Sequence, residues 1–315
     1  MKIYHLLPAL LLCYSATAQK TETFYDYYWK PCGAEEARYF GTVEKTDSGW
    51  LRNDYYVSTK RLQMQALYED EACKIQNGNS IYYYANGYAS ATGRYVHGKR
   101  EGVCISYHSN GMISDSSLFH NGLVVDKRFG WHPNGFISDS VNRINDSTCV
   151  EVGWFDDGNL AYAGYLLNDN KQEGKWKYYH HNGQLSSVEL YAHGKLISAG
   201  YFDESGKPQT DTSSVNRESN FKGGEAAWIR WLEKKLYWPA HLEFTTPGSV
   251  TVGISFVIDE NGKVTDAEVS MPFHDAFDKI ALNIIKSSPP WQPAVAHNRK
   301  VKAYRRQPVT FVQPD

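Results

Sequence analysis

The chain has 315 residues, and its 33 Lys and Arg stand against 35 Asp and Glu for a formal charge of −2. So balanced a charge excludes a protein that holds nucleic acid by electrostatics, and an aromatic content of 14%, with 23 Tyr and 9 Trp, excludes a largely disordered chain. The aromatic excess suits β-strands, and the length exceeds one ordinary domain, so two are expected.

Residues 1–18 read as an export signal. Lys2 gives a positive start, an apolar run extends from Ile3 to about Cys13, and Ala16-Thr17-Ala18 fits the small-x-small cleavage pattern, which places the mature start at Gln19. The run is shorter than the roughly 20 apolar residues of a membrane span. Leu12 before Cys13 does not fit lipid attachment, which wants a small residue there. The mature chain is therefore expected to carry no membrane span. Cys32, Cys73, Cys104 and Cys149 survive cleavage. An oxidising compartment permits disulfides among them, their spacing fits no metal motif, and free buried thiols are an equal alternative.

A repeat fills residues 19–206. Turn-type dipeptides recur at Asn86-Gly87, Asn110-Gly111, Asn134-Gly135, Asp157-Gly158, Asn182-Gly183 and Ser205-Gly206, with glycines 24, 24, 23, 25 and 23 residues apart. Midway between them stand His97-Gly98, Asn121-Gly122, Asn145-Asp146, Asp169-Asn170 and His193-Gly194. Such residues tolerate the positive φ of tight hairpin turns. A turn about every 12 residues predicts a single-layer antiparallel meander. An aromatic stands four residues before each first-turn glycine: Tyr83, Tyr107, Trp131, Trp154, Tyr179 and Phe202. Stacked repeats should align these six as a continuous aromatic row on one face.

The pattern resembles the MORN-repeat-variant family, whose units read roughly Tyr-Tyr-x-x-Gly, Gly-x-Tyr and Gly-Lys-x-x-Gly. Tyr83-Tyr84-Ala85-Asn86-Gly87, Gly93-Arg94-Tyr95, Gly98-Lys99-Arg100-Glu101-Gly102 and Tyr178-Tyr179-His180-His181-Asn182-Gly183 carry it. Arg143 departs from it, where neighbours have Tyr95, Phe119, Leu166 and Tyr191. His108, His132 and His180 share one repeat position. Equivalent residues lie two strands, roughly 9–10 Å, apart, too far for one metal ion, so they read as exposed strand histidines.

After Gly206 the rhythm stops. Residues 207–220 are polar and read as a linker that few contacts cross. Residues 221–315 follow an α-β-β-α-β order. Trp228, Ile229, Trp231, Leu232 and Leu236 predict one apolar helix face, ended by Pro239. Val250 to Ile258 alternates as a strand, Asp259-Glu260-Asn261-Gly262 turns it, and Val264 to Met271 returns. Phe277, Ile280, Ala281, Ile284 and Ile285 mark a second helix. A third strand is expected from about Lys300 to Val312.

The whole is read as mainly β with an α+β C-terminal domain. That domain resembles the TonB C-terminal family over about Phe221 to Val312. The motifs are Phe221-Lys222-Gly223-Gly224, Trp238-Pro239, Val252-x-Ile254-x-Phe256-x-Ile258-Asp259-x-x-Gly262, Ala281-Leu282, Trp291-Gln292-Pro293-Ala294 and Pro308-Val309-Thr310-Phe311. Trp238 stands where the family usually has Tyr. The resemblance implies a periplasmic protein of energy-coupled transport that binds outer-membrane transporters, or other envelope proteins, by β-strand addition at a sheet edge. The third strand is the candidate edge, with Lys300, Val301, Lys302, Ala303, Arg305 and Arg306 as candidate contacts and a basic cluster that would attract acidic peptides. Val301 and Ala303 are expected to turn their backbone edge toward the peptide, and Arg305 to supply salt-sensitive attraction. The family's transducers carry an N-terminal membrane helix, whereas residues 1–18 read as a cleavable signal, which points to an adaptor using the same mode of binding.

The sequence holds no Gly-x-Ser-x-Gly, His-Glu-x-x-His, Cys-x-x-Cys or phosphate-loop pattern. No enzymatic activity, cofactor or metal is expected. The competing expectation is an interaction scaffold whose repeat sheet binds a protein partner.

Overall fold

The structure, a computed structural model, describes residues 21–167, 170–240, 242 and 248–313, with the backbone alone at 21 and 126. The expected export signal lies outside them. Among the described residues no helix is long and apolar enough to cross a membrane, and Cys32, Cys73, Cys104 and Cys149 are unpaired.

Fifteen strands form one antiparallel meander in which each pairs with the next. They are β1 (Thr21–Tyr25), β2 (Tyr39–Thr46), β3 (Gly49–Tyr56), β4 (Leu62–Tyr68), β5 (Gln76–Tyr83), β6 (Ala89–Val96), β7 (Lys99–Tyr107) and β8 (Ile113–His120). Then follow β9 (Leu123–Trp131), β10 (Ile137–Arg143), β11 (Thr148–Trp154), β12 (Leu160–Leu167), β13 (Gln172–Tyr179), β14 (Leu185–Ala192) and β15 (Lys195–Tyr201). At one end of the sheet three turns, His97-Gly98, Asn121-Gly122 and His193-Gly194, are two-residue pairs with both φ positive, 48° and 77° at the first. That is the mirror-image turn whose twist matches paired strands. At the other end, the Asn-Gly turns and the Asp157-Gly158 turn each carry one extra residue in the returning strand. It is Ser90, Ser114, Ser138, Ala161 and Ser186 in successive hairpins. A bulge at a fixed repeat position adds the same local twist to every unit.

Two ladders of side chains tie successive Asn-Gly turns together. Asn86, Asn110, Asn134 and Asn182 donate Nδ2–H to the carbonyls of Ser109, Pro133, Asp156 and Glu204 at 2.7–2.8 Å. Beside them, the residue at one repeat position, directly after the hairpin-closing aromatic, donates to the carbonyl of the next such aromatic in every repeat but the one with Phe155 there. Tyr56 reaches Tyr83, Tyr84 reaches Tyr107, His108 reaches Trp131, His132 reaches Trp154 and His180 reaches Phe202, at 2.7–3.0 Å. Because the acceptors are carbonyls, each Nε2 carries its proton. The histidines are thus not exposed strand residues: His108 and His132 are half-buried and His180 is buried. They curl over the adjacent repeat to pair backbone that the turn leaves open.

The aromatic row is placed differently from the expectation. All six members are half-buried. Five close their hairpins against Ala89, Ile113, Ile137, Leu160 and Leu185. Among the described residues no ring contact joins two of the six, since equivalent positions lie two strands apart. The buried rings among the described residues of the sheet are instead Tyr39, Tyr56, Tyr68, Trp176, Tyr178 and Tyr191, the last three clustered with Cys149 and Leu166.

The C-terminal part comprises α1 (Gly224–Lys235), β16 (Ser249–Ile258), β17 (Val264–Met271), α2 (Asp275–Lys286), β18 (Ala294–Ala296), β19 (Arg299–Val301) and β20 (Ala303–Val312). Its sheet runs β17-β16-β20. Val252, Ile254, Phe256 and Ile258 of β16 bury one face against Phe277, Ala281 and Ile285 of α2 and against Trp228 and Leu232 of α1. Ile229, expected on the apolar face of α1, is 47% exposed: the face turned to the core carries Trp228 and Leu232, flanked by Ala227 and Trp231, and Ile229 lies one residue, about 100° around the helix, past it.

Residues 207–220 are not a free tether. Arg217 bridges Val295 and Asn220 bridges Gln292 in short antiparallel contacts, and Val215 and Ser219 are buried. The polar composition that suggested a linker is used to pair backbone, as the exchange of N–H and C=O between Arg217 and Val295 shows.

Candidate partner-binding edge

The expected third strand begins later than its sequence suggests. Arg299–Val301 pairs with Ala294–Ala296 in a separate hairpin, and only Ala303–Val312 pairs with β16. The turn residues His297 and Asn298 sit at φ 53° and 62°, the left-handed pair of a two-residue turn. Lys300 and Val301 therefore belong to β19 and not to the edge.

The parity of β20 follows from one hydrogen bond. Gln313 N–H donates to Gly248 C=O at 3.1 Å, and the β16–β20 register is unbroken from Ser249↔Val312 to Ile258↔Ala303. Antiparallel pairs alternate, so 303, 305, 307, 309 and 311 turn their backbone groups to β16, and 304, 306, 308, 310 and 312 turn theirs outward. Pro308, which has no N–H to give, falls on the outward set, as an edge proline should. Ala303 thus faces β16, contrary to expectation, and the outward donors near the start of the strand are Tyr304 and Arg306.

The basic cluster divides. Lys302 is joined to Asp156 of a repeat turn. Burial lowers its pKa, but the hydrogen bond and charge of Asp156 outweigh this and hold the ammonium above its ordinary range. Asp156 is held below its own range chiefly by the same bond. Arg305 donates Nε–H to Ser219 Oγ at 2.9 Å and another N–H to Ser219 C=O. Its guanidinium lies over the Trp291 ring. Arg306, by contrast, is exposed, and no hydrogen bond or ion pair engages it among the described residues. Tyr304 beside it is 75% exposed.

The hairpin of β18 and β19, which the sequence reading missed, docks the domain on the repeat sheet. The His297 ring stacks on Tyr178 and bonds the buried Glu189. Asn298 donates to Phe202 C=O at 2.8 Å. Arg299 fills a gap in the carbonyl ladder. Phe155 occupies the ladder position and has no polar atom to give. Its expected acceptor, Tyr179 C=O, receives Arg299 Nη1–H at 3.2 Å instead, and the same nitrogen reaches Ala161 C=O. The guanidinium lies 5.2–5.7 Å from the Phe155, Tyr162 and Tyr178 rings, and burial lowers its pKa. Two signals could have found this contact: the apolar Phe155 in a polar column, and His297-Asn298 between two short β-prone runs.

With the geometry in place, comparison with known proteins is direct. Residues 248–312 match the Gram-negative bacterial TonB protein C-terminal family, and residues 172–193 match the MORN repeat variant. No curated protein matches the chain. The chain thus carries a segment that matches the TonB C-terminal family, at 248–312, docked on a meander whose unit at 172–193 matches the MORN repeat variant.

Proposed function

We propose that this is a periplasmic, non-enzymatic binding protein that takes an extended segment of an outer-membrane transporter as a fourth strand alongside β20. The free outer edge of β20 carries the reading: Tyr304 and Arg306 direct unpaired backbone donors outward, and an extended peptide supplies the partners. Arg306 adds an uncommitted cation at the same place.

The test is calorimetry on chain 19–315 with ten-residue peptides from the N-terminal segments of outer-membrane transporters of the same organism. Arg306→Pro removes an outward N–H while leaving the β16 ladder whole, and should abolish binding without changing the melting transition. Arg306→Ala should keep binding and flatten its salt dependence. Absence of binding by the wild type, or binding unaffected by Arg306→Pro, would overturn the proposal.

A further inference from the structure

Two clefts flank the first half of β20, one on each face of its sheet. On the helix side, a cleft of about 560 Å³ is lined by Phe221, Glu225, Trp228 and Trp291. On the other side, a cleft of about 390 Å³ lies between the sheet and the repeat turns, and Tyr84, Ser109, His132 and Pro133 of the repeats form its far wall. Tyr304, Arg305 and Arg306 line both.

A strand added outside β20 sends successive side chains to opposite faces, so its alternate residues would enter alternate clefts. Tyr304 and Arg306 pair with Val257 and Ser255, the face turned to the repeats. Arg305 pairs with Phe256, on the helix face. The two clefts differ in charge. Arg306 is uncommitted on the repeat side, and the acids there, Asp266 and Glu268, lie on β17, two strands inward. On the helix side the cation of Arg305 is spent on Ser219, and Glu218 and Glu225 line the opening.

We infer that the repeat turns are the second wall of the partner site, and that they select an extended peptide with acidic side chains toward the repeats alternating with apolar ones toward the helices. This rests on strand addition at β20. It gives the repeat sheet a part in recognition: Ser109 and Pro133 bound the space that the partner's repeat-facing side chains must fit.

The test uses chain 19–315 and an array of ten-residue peptides with glutamate, alanine or lysine at every second position and valine between. The wild type should prefer the glutamate series at least tenfold over the lysine series. Ser109→Asp places a carboxylate in the wall and should erase or reverse that preference. Ser109→Trp fills the cleft and should weaken the glutamate series tenfold while sparing the alanine series. Neither touches the β20 backbone, and Ser109 is a half-buried turn residue that joins the ladder through its carbonyl. If Arg306→Pro leaves all peptides bound, strand addition itself fails. If Arg306→Pro abolishes binding but both Ser109 variants keep the wild-type ranking, strand addition stands and the repeat wall falls. If the wild type binds no series, both fall.

Discussion

The imidazole of His297 lies flat on the phenol of Tyr178, with ring centroids 3.6 Å apart and planes 5° from parallel. The two residues belong to different domains, and the same imidazole donates Nδ1–H to Glu189 at 2.9 Å. Glu189 is 2% exposed. Burial alone would raise its pKa, but the bonds from His297 and Tyr191 outweigh this and hold it low. His297→Ala removes one partner of a buried acceptor, which costs about 1–3 kcal/mol. Docking should loosen locally before global unfolding. Hydrogen exchange at Arg217 and Val295, and proteolysis within 207–220, should both accelerate in the variant. A wild type cut there as fast as His297→Ala would show that the contact does not hold the domains together.

Within the repeat sheet, the energetic weight falls on Trp176 and not on the half-buried row. Trp176 is 2% exposed and donates Nε1–H to Tyr165 C=O at 3.0 Å. Trp176→Ala should cost about 3–5 kcal/mol, a fully buried truncation. Trp131→Ala, which vacates a half-buried hairpin closure, should cost roughly half as much. Urea unfolding of the two variants decides this, and equal losses would restore the row as the core.

The difference between those tryptophans shows what could be read from the residues alone. The period, the turn types and the meander were legible because Asn-Gly and His-Gly pairs carry their φ requirement in their identity. The TonB-like order was legible because β16 and α2 alternate with clean periods. What was not legible is phase. A bulge at Ser90, Ser114, Ser138, Ala161 and Ser186 shifts the pairing by one residue, and counting from the glycine then chooses the wrong ring as core. The edge strand failed similarly at its start: Lys300 to Val312 looks continuous, and only the turn at His297-Asn298 reveals that Arg299–Val301 folds back on Ala294–Ala296. The division of the basic cluster depends on Asp156 and Ser219, distant residues that no local pattern announces.

Asp278 provides a pH signature in the C-terminal domain. Burial pushes its carboxyl up to about 6, against the bond it accepts from Phe273 N–H at 2.9 Å. Its folded pKa therefore lies above the unfolded value of 3.8. The stabilisation it provides is complete below 3.8 and is lost as the pH rises through about 6. The melting temperature of the wild type relative to Asp278→Asn should thus be highest at acid pH and fall between those values. A difference that stays flat from pH 3.5 to 8 would contradict the burial argument.

The gap at Phe155 makes the coupling between domains measurable. In the other repeats a tyrosine or histidine of the same chain segment supplies the ladder bond, as His180 does to Phe202 C=O at 3.0 Å. At Tyr179 C=O the donor is Arg299 of the other domain, at 3.2 Å. Arg299→Ala should strand that carbonyl and cost about 1–3 kcal/mol. Phe155→His offers the repeat its own donor at the ladder position, with a ring that can keep the stack now made by Phe155 on His181 at 3.8 Å. In that background Arg299→Ala should cost less by about 1 kcal/mol, because the carbonyl keeps a partner. The cycle needs four proteins and their unfolding free energies. Single costs that add to within about 0.3–0.5 kcal/mol would mean that Phe155 and Arg299 act independently. The ladder vacancy would then have no part in where the TonB-like domain docks.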